Sequence, residues 1–307
     1  IVRLSDVLDP PDFILVPEVD LDFEHFKGKL DERYKEKGYA IVVVAEGVKY
    51  KGSDGPIVQD ATIVDSFGHK QLGGVAEVLA KRIKEELKIK SSIEEDEHFL
   101  DLIHKKVPLS ELNNFRIRII QKINSLPNFR QKYFQISKQY LDVIVGNEIA
   151  MQVKVNLSIQ FPEDVSSLLP IHADTWSGDS PFEVVVWIPL VNCFKTKSMY
   201  ILPPEENIKL DKNFKAIAGN HSEDLYKAVQ EKVEWIKIDY GEVMLFNNAL
   251  PHGNRTNLEN ETRWSMNCRF KGVFSPYWDK KIGSFFEPVT LRAASINGMN
   301  YKLPRLD

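Results

Sequence analysis

The sequence is poor in cysteine, has no long apolar run and carries no large excess of either charge. Its two cysteines, Cys193 and Cys268, are too few for a disulfide-stabilised fold in a chain of 307 residues. The longest apolar run, Val184–Val191, is far shorter than the ~18 residues that a membrane-spanning helix needs. We therefore expect a globular protein of the reducing cytoplasm, without a membrane-spanning segment or a secretory signal peptide.

The charge balance excludes one broad class of partner. Forty basic side chains against forty-four acidic ones give a net charge of −4. A nucleic-acid-binding domain usually has a strong basic excess, so we expect neither nucleic acid nor an anionic membrane as partner. At roughly 100–200 residues per domain, the length allows two domains or one large one.

The first part of the chain alternates between strand-like and helix-like patterns. Phe13–Val19 is a short apolar run, and Leu21–Lys37 has apolar residues at helical spacing. Ala40–Ala45 is a continuous run typical of a strand buried in a parallel sheet. A loop-rich stretch over 52–68 precedes the amphipathic pattern of Val75–Leu87. The patterns predict an α/β segment of βαβα type over residues 1–92.

The second part, over residues 93–307, begins with helices and continues with strands. Helices are predicted over Leu112–Leu126 and from Asn128 to about Val145. The sequence then alternates strictly between apolar and polar residues over 151–161, and again over Arg263–Phe270. Many short strands with glycine and proline turns favour a barrel or a jelly roll. The other predicted strands are Glu183–Val191, Met199–Leu202, Glu234–Ile238 and Val243–Phe246.

Three residues in this β-rich part have the chemistry of a metal site. His172 and Asp174 follow a predicted strand, and residues two apart in an extended segment point to the same side. His252 follows a later strand. Two imidazoles and one carboxylate form the facial triad of non-haem Fe(II) oxygenases, which leaves coordination positions open. The same residues also fit a plain turn, in which Asp174 caps a backbone N–H group and His172 packs.

Polar residues on two strands are candidates for holding a co-substrate. Arg263 begins a strand whose polar face also carries Ser265 and Arg269. A buried guanidinium binds a carboxylate through two parallel hydrogen bonds, so Arg263 is the preferred anchor for a dicarboxylate and Arg269 is the alternative. Gln160 is a further candidate cofactor-binding residue on the face of an earlier strand, although that face equally fits a solvent-exposed edge.

These residues resemble the Fe(II)/2-oxoglutarate-dependent dioxygenases over about residues 95–307. The resemblance rests on His172-x-Asp174, the distal His252, and the family's Arg-x-Ser pattern at Arg263 and Ser265. Two stretches carry more specific likenesses. One stretch is similar to the distal motif of phytanoyl-CoA-type oxygenases: LPHGNRTNLENETRWSMNCRF. A second stretch is similar to oxygenases of bacterial carbohydrate-biosynthesis clusters: NEIAMQVKVNLSIQFPEDVSSLLPIHADTWSGDSPFEVVVWIPL.

The resemblance implies a fold, a cofactor set and a reaction. It implies a double-stranded β-helix, the jelly roll of cupin-like proteins, with bracing helices, so that the chain as a whole is of the α+β class. His172, Asp174 and His252 would ligate Fe(II), and Arg263 with Ser265 would bind the distal carboxylate of 2-oxoglutarate. With O₂, such an enzyme would hydroxylate a small polar substrate, such as a sugar derivative, and release succinate and CO₂.

Two other functions remain open at this point. One is a cupin-like metal protein with a non-oxygenase reaction, for which a dicarboxylate anchor at Arg263 would be needless. The other is a non-catalytic binding module. The resemblance also indicates the type of reaction. Halogenating members of the family have a small residue at the position of Asp174. The carboxylate of Asp174 therefore favours hydroxylation or a related oxidation.

Residues 12–90 resemble a different family, the phosphofructokinases. By this resemblance Glu46 and His69 would contact a sugar phosphate, while Leu72 stands where some members have arginine. The family's nucleotide loop and catalytic aspartate segment do not appear, so we expect a truncated and catalytically silent fragment. Its open sheet edges would pack on the second domain, pair with another chain as in a homodimer, or stay partly disordered. The matching segments are DFILVPEVDLDFE, KGYAIVVVAEG and DSFGHKQLGGVAEVLAKRI.

Overall fold

The computed structural model describes nearly all of the second predicted domain and parts of the first. Residues 23–44, 58–59, 62–65, 79, 81–89, 98–217 and 221–304 are described. Within these ranges no helix has both the length and the apolar character needed to cross a membrane. Cys193 and Cys268 are both buried and free, as their number predicts. The predicted strand Phe13–Val19 lies outside the described residues.

Helices and strands occur in both predicted domains. The described helices are α1 (Phe23–Lys37), α2 (Leu112–Asn124), α3 (Phe129–Ile144), α4 (Pro204–Ile217), α5 (Ser222–Val229) and α6 (Ala293–Met299). The described strands are β1 (Tyr39–Val44), β2 (Val58–Gln59), β3 (Thr62–Asp65), β4 (Ile149–Gln152), β5 (Asn156–Gln160), β6 (Val184–Pro189), β7 (Tyr200–Ile201), β8 (Glu234–Trp235), β9 (Glu242–Asn247), β10 (His252–Gly253), β11 (Arg263–Gly272) and β12 (Phe286–Pro288).

One large sheet contains strands from both predicted domains. Its order is β12–β4–β11–β6–β9–β1–β3–β2, and β5 also pairs with β11. The pairs are antiparallel except for the parallel pair β1–β3. A smaller antiparallel sheet has the order β10–β7–β8. The fold thus combines helices with a mainly antiparallel sheet.

Strand β1 joins the N-terminal segment to the rest of the large sheet. It pairs with β9 from Tyr39, opposite Phe246, to Val43, opposite Glu242. Val42 is fully buried, as the continuous apolar run predicts for a strand enclosed on both faces. The β1 edge of this segment therefore packs on a strand of the second part of the chain, one of the three expected outcomes. The predicted loop over 52–68 was wrong in part, because β2 and β3 lie there and extend the sheet.

Helices α2 and α3 pack against the large sheet. Phe115 of α2 meets the ring of Trp264 edge-on, with centroids 6.2 Å apart. Tyr133 of α3 stacks on Phe270 and donates a 2.8 Å hydrogen bond to the carbonyl oxygen of Val186. Helix α3 begins directly after Asn128, as predicted. These contacts explain the apolar stripes of both helices, which lie over β11 and β6.

The alternating stretch at 151–161 forms two strands rather than one. The side chain of Asn124 forms hydrogen bonds with both backbone groups of Val155. It accepts from the N–H and donates to the carbonyl oxygen, at 3.0 Å each. These bonds replace the sheet bonds of Val155 and interrupt the strand there. Strands β4 and β5 nevertheless both pair with β11, on its C-terminal and N-terminal halves respectively. The break therefore leaves the predicted apolar face intact.

Candidate metal centre

His172, Asp174 and His252 lie together, as the sequence predicts for a facial triad. Each offers one ligand atom, and these three atoms lie within 4.8 Å of one another. Asp174 opens a short 3₁₀ turn, Asp174–Ser177, whereas His252 begins β10 in the smaller sheet. The Nε2 atom of His172 is 3.6 Å from Oδ1 of Asp174. Two imidazoles and a carboxylate thus converge on one point.

Backbone hydrogen bonds connect the two distant segments that carry the triad. The N–H of His172 donates to the carbonyl oxygen of His252 at 3.0 Å, and the reverse bond is 2.8 Å long. The N–H of Asp174 donates to the carbonyl oxygen of Asn248, also at 3.0 Å. Because main-chain groups set these distances, the spacing of the three side chains does not depend on flexible surface contacts.

The two imidazoles are oriented in the same way. Nδ1 of His172 is 2.8 Å from the carbonyl oxygen of Pro170, and Nδ1 of His252 is 2.9 Å from that of Leu250. A carbonyl oxygen only accepts, so Nδ1 carries the proton in each ring and the lone pair lies on Nε2. A second-shell partner of this kind is usual for a histidine that ligates a metal. The donor set and its orientation therefore fit a divalent metal ion.

The protonation states of the triad also suit a metal ligand set. Burial, with a contribution from His172, lowers the pKa of His252 to about 4, so this ring is neutral at pH 7. Burial opposes ionisation of Asp174, but His252 and Arg269 together hold its pKa below the ordinary value. The guanidinium of Arg269 is a positive charge in direct contact with the Asp174 carboxylate. Neutral imidazole and ionised carboxylate are the forms that bind a metal.

Arg263 is buried and has unused hydrogen-bonding capacity. It donates to the carbonyl oxygen of Ser198 at 2.8 Å and to Oγ of Ser158 at 2.7 Å. Its Nε atom and the hydroxyl oxygen of Ser265 are both buried without a hydrogen-bond partner in the described parts of the chain. Alternation along β11 places the two residues on one face. Burial lowers the pKa of Arg263 to about 10, which still leaves the guanidinium charged at pH 7.

Arg269, the alternative carboxylate anchor, contacts the triad itself. Its terminal nitrogen lies 2.7 Å from Oδ1 of Asp174, and its Nε donates to Oδ2 at 3.1 Å. A second carboxylate, Asp179, lies 3.3 Å from the same Nε. Arg269 is therefore committed to carboxylates of the protein, unlike Arg263.

Gln160 is buried, so the alternative of a solvent-exposed edge was wrong for this residue. Its amide donates to the carbonyl oxygen of Arg255 at 2.7 Å and accepts from the side chain of Asn254 at 3.3 Å. Both bonds go to the loop that follows His252. The described contacts of Gln160 thus support that loop, and its assignment as a cofactor-binding residue stays a prediction.

Two asparagines that support the triad were not among the sequence candidates. Asn248 accepts from the N–H of Asp174, and its side chain donates to the carbonyl oxygen of Ser180 at 2.9 Å. Asn254 donates from its side chain to the carbonyl oxygen of Ser167 at 3.1 Å, which connects the loops before His172 and after His252. The one signal in the sequence was their position on either side of His252.

The kinase-like candidates Glu46, His69 and Leu72 lie outside the described residues. The sequence comparison nevertheless bears out the resemblance of this part. A stretch of 79 residues is 43% identical to a pyrophosphate–fructose 6-phosphate 1-phosphotransferase from Halomonas elongata, covering 26% of this chain and 18% of that enzyme. The Methylococcus capsulatus enzyme is 47% identical over 74 residues, 24% of this chain and 17% of the relative. The chain thus spans less than a fifth of the length of these curated relatives.

No family model matches the chain. Solved structures that align with most of it are non-haem oxygenases and related enzymes. The apo form of the non-haem monooxygenase ThoJ aligns with TM-score 0.48 and 13% identity, covering 86% of this chain and 84% of ThoJ. HygX from Streptomyces hygroscopicus with nickel and 2-oxoglutarate gives 0.44 and 10%, covering 83% and 89%. The α-ketoglutarate-dependent epimerase SnoN gives 0.41 and 12%, covering 80% and 83%. At this level of likeness, a function has to be argued from the site itself.

Proposed function

We propose that this chain is an Fe(II)- and 2-oxoglutarate-dependent oxygenase. The observation that carries the proposal is the convergence of two imidazoles, each with Nδ1 on a backbone carbonyl, and one ionised carboxylate within 4.8 Å. Two histidines and one carboxylate with open positions are characteristic of non-haem Fe(II) oxygenases. We assign the large and the small sheet together to a double-stranded β-helix.

The carboxylate co-substrate would be held by the face of β11 that carries Arg263. The Nε atom of Arg263 and the hydroxyl of Ser265 are buried polar groups without a partner in the described structure, which is costly unless a ligand completes their bonding. A carboxylate accepts hydrogen bonds from both groups, and the charge of the guanidinium strengthens them. Burial of Arg263 keeps water from competing for this interaction.

His172, Asp174 and His252 would hold the metal ion at one fixed position. When bound, Fe(II) would activate O₂ together with 2-oxoglutarate and supply the oxidant that removes hydrogen from the substrate, with succinate and CO₂ as co-products. The protein contributes two imidazoles, of which His252 is neutral at pH 7, an ionised Asp174 and a fixed spacing between them. A small polar substrate such as a sugar derivative is our proposal for the molecule oxidised, supported by the resemblance of the stretch 147–190.

The test is formation of succinate from 2-oxoglutarate. We expect Fe(II)-dependent turnover in air with a panel of sugars and sugar derivatives, and a loss of at least about 100-fold in His172→Ala, which lacks a ligand. His221→Ala is the matched control, because His221 is exposed beside α5 and donates no capping bond.

Two outcomes would contradict the proposal in different ways. Tight metal binding without any conversion of 2-oxoglutarate would indicate a cupin-like protein with another reaction. Equal metal binding in the wild type and in His172→Ala would remove the triad as a metal site and favour a non-catalytic binding module.

A further inference from the structure

Arg269 makes a two-point contact with the carboxylate of the triad. One terminal nitrogen lies 2.7 Å from Oδ1 of Asp174, and Nε donates to Oδ2 at 3.1 Å. The side chains are 15% and 5% exposed, so water competes little with this pair. A guanidinium bound to both oxygens fixes the plane of the carboxylate as well as its position.

The remaining contacts of Arg269 hold the guanidinium in place. Its Nε is 3.3 Å from Oδ1 of Asp179, and its other terminal nitrogen donates to Oε1 of Gln152 at 3.4 Å. Asp179 in turn binds Nζ of Lys280 at 2.6 Å. Each of the three nitrogens of Arg269 therefore has a partner within the protein, and the two oxygens of Asp174 take two of them.

Oδ1 of Asp174 faces both the guanidinium and an imidazole of the triad. It lies 3.6 Å from Nε2 of His172, which carries the lone pair. A carboxylate has about four lone-pair sites, so the two bonds to Arg269 leave sites for a metal ion. Without Arg269 the carboxylate could rotate about its last torsion, which is broad for aspartate. Only a fraction of those orientations direct a lone pair at the point shared with the imidazoles.

We propose that Arg269 is a positioning residue that holds the carboxylate of Asp174 in its metal-binding orientation. The inference rests on the proposed function, since it requires the triad to bind a metal. It assigns the two arginines of β11 to different tasks: Arg269 orients a ligand of the metal, and Arg263 is the one available for a co-substrate.

The test compares metal binding in variants of the full chain. Arg269→Gln removes the charge and the two-point contact with Asp174. Arg269→Lys keeps the charge but can contact the carboxylate at one point only. Arg116→Gln is the matched control. Arg116 pairs with buried Asp164 at 3.1 Å, has the same 15% exposure as Arg269 and contacts no triad residue in the described structure. The readouts are the Kd of Mn(II), the visible absorption of bound Co(II), and the Tm.

We expect Mn(II) to bind about 10-fold more weakly to Arg269→Gln, the lower end of second-shell effects on metal affinity. The Co(II) spectrum should change with it, and Arg269→Lys should recover part of the affinity. Arg116→Gln should lower the Tm while leaving both metal readouts unchanged, because it loses a buried ion pair away from the triad.

The outcomes separate this inference from the function on which it rests. If the wild type binds neither ion, the proposed function fails. If the wild type binds and Arg269→Gln matches it in Kd and Co(II) spectrum, Arg269 has no positioning role. An equal loss of affinity in Arg116→Gln would also overturn the inference, since general destabilisation would then explain the effect. Should Arg269→Gln fail to fold, Arg269→Lys decides by the same two metal readouts.

Discussion

The two parts of this chain differ in what points to a function: sequence similarity in the first part, and the geometry of a site in the second. The kinase-like part has curated relatives at 43% and 47% identity, yet the matched stretch is less than a fifth of each relative. The second part matches no family model, yet it brings His172, Asp174 and His252 within 4.8 Å. Sequence likeness and a complete constellation of functional groups are thus separate properties, and here they occur in different parts.

Strand β1 shows what the first part contributes to the second. Its pairing with β9 covers a strand edge that would otherwise expose unpaired N–H and C=O groups. Gly38, just before β1, accepts from the N–H of Asn247 at 2.7 Å, a few residues before His252. The segment that resembles a kinase therefore supports the sheet that leads to a triad residue.

The largest expected effect tests whether the second part binds a co-substrate through the charge of Arg263. Arg263→Met should weaken binding of 2-oxoglutarate to the Mn(II)-loaded protein by about 10- to 100-fold. Loss of a charge-assisted hydrogen bond costs about 1.5–3 kcal/mol, which corresponds to that range. Isothermal titration measures the change, and Arg118→Met is the control, because Arg118 is exposed and pairs with Glu86. Unchanged affinity in Arg263→Met would place the co-substrate elsewhere.

An intermediate effect would show whether the first part is structurally independent. Val42 lies in β1 opposite Val243 and is fully buried, so Val42→Asp places a charged group in the core. We expect the free energy of unfolding to fall by at least about 2 kcal/mol, and Mn(II) binding to fall with it. Denaturant titration measures the first quantity. Glu36→Ala, at an exposed position of α1, should change it by less than about 0.5 kcal/mol.

If Val42→Asp bound Mn(II) with wild-type affinity, this would contradict the view that the triad depends on the sheet shared by the two parts. It would mean that the first part unfolds by itself and leaves the triad intact. A boundary near residue 92, the one predicted from the sequence, would then separate two parts that fold independently.

The smallest expected effect is the absence of phosphofructokinase turnover. A coupled assay of this chain with fructose 6-phosphate and either ATP or pyrophosphate should give no signal above background, because the stretch similar to these enzymes is less than a fifth of their length. Turnover that vanishes in Glu46→Gln would overturn our view that this part is catalytically silent.

Local patterns predicted the elements well where apolar residues recur at helical or strand spacing or form a continuous run. Helices α2 and α3 and strands β9 and β11 begin and end within a few residues of the expected positions. The prediction was wrong where a distant partner overrode the local pattern. The single strand over 151–161 was broken by the side chain of Asn124, and part of the loop over 52–68 became β3 by pairing with β1.

The ligands of the candidate site were predictable from the sequence, but the contacts that support them were not. The short spacing of His172 and Asp174 made a shared direction predictable, and the residue types indicated a metal. The support given by Asn248 and Asn254 was not predictable, because it depends on carbonyl oxygens of loops that are distant in sequence.

The sequence by itself determined the ligand types, the pairing of His172 with Asp174, and the shared face of Arg263 and Arg269 on one strand. These follow from local spacing, which the chain keeps in any fold that leaves those segments extended. Only the tertiary structure decided how His252 is held beside the pair and which arginine keeps a buried N–H group without a partner in the described residues. Backbone hydrogen bonds between distant segments hold His252 beside His172. Carboxylates contact Arg269, whereas the Nε atom of Arg263 keeps no partner in the described structure.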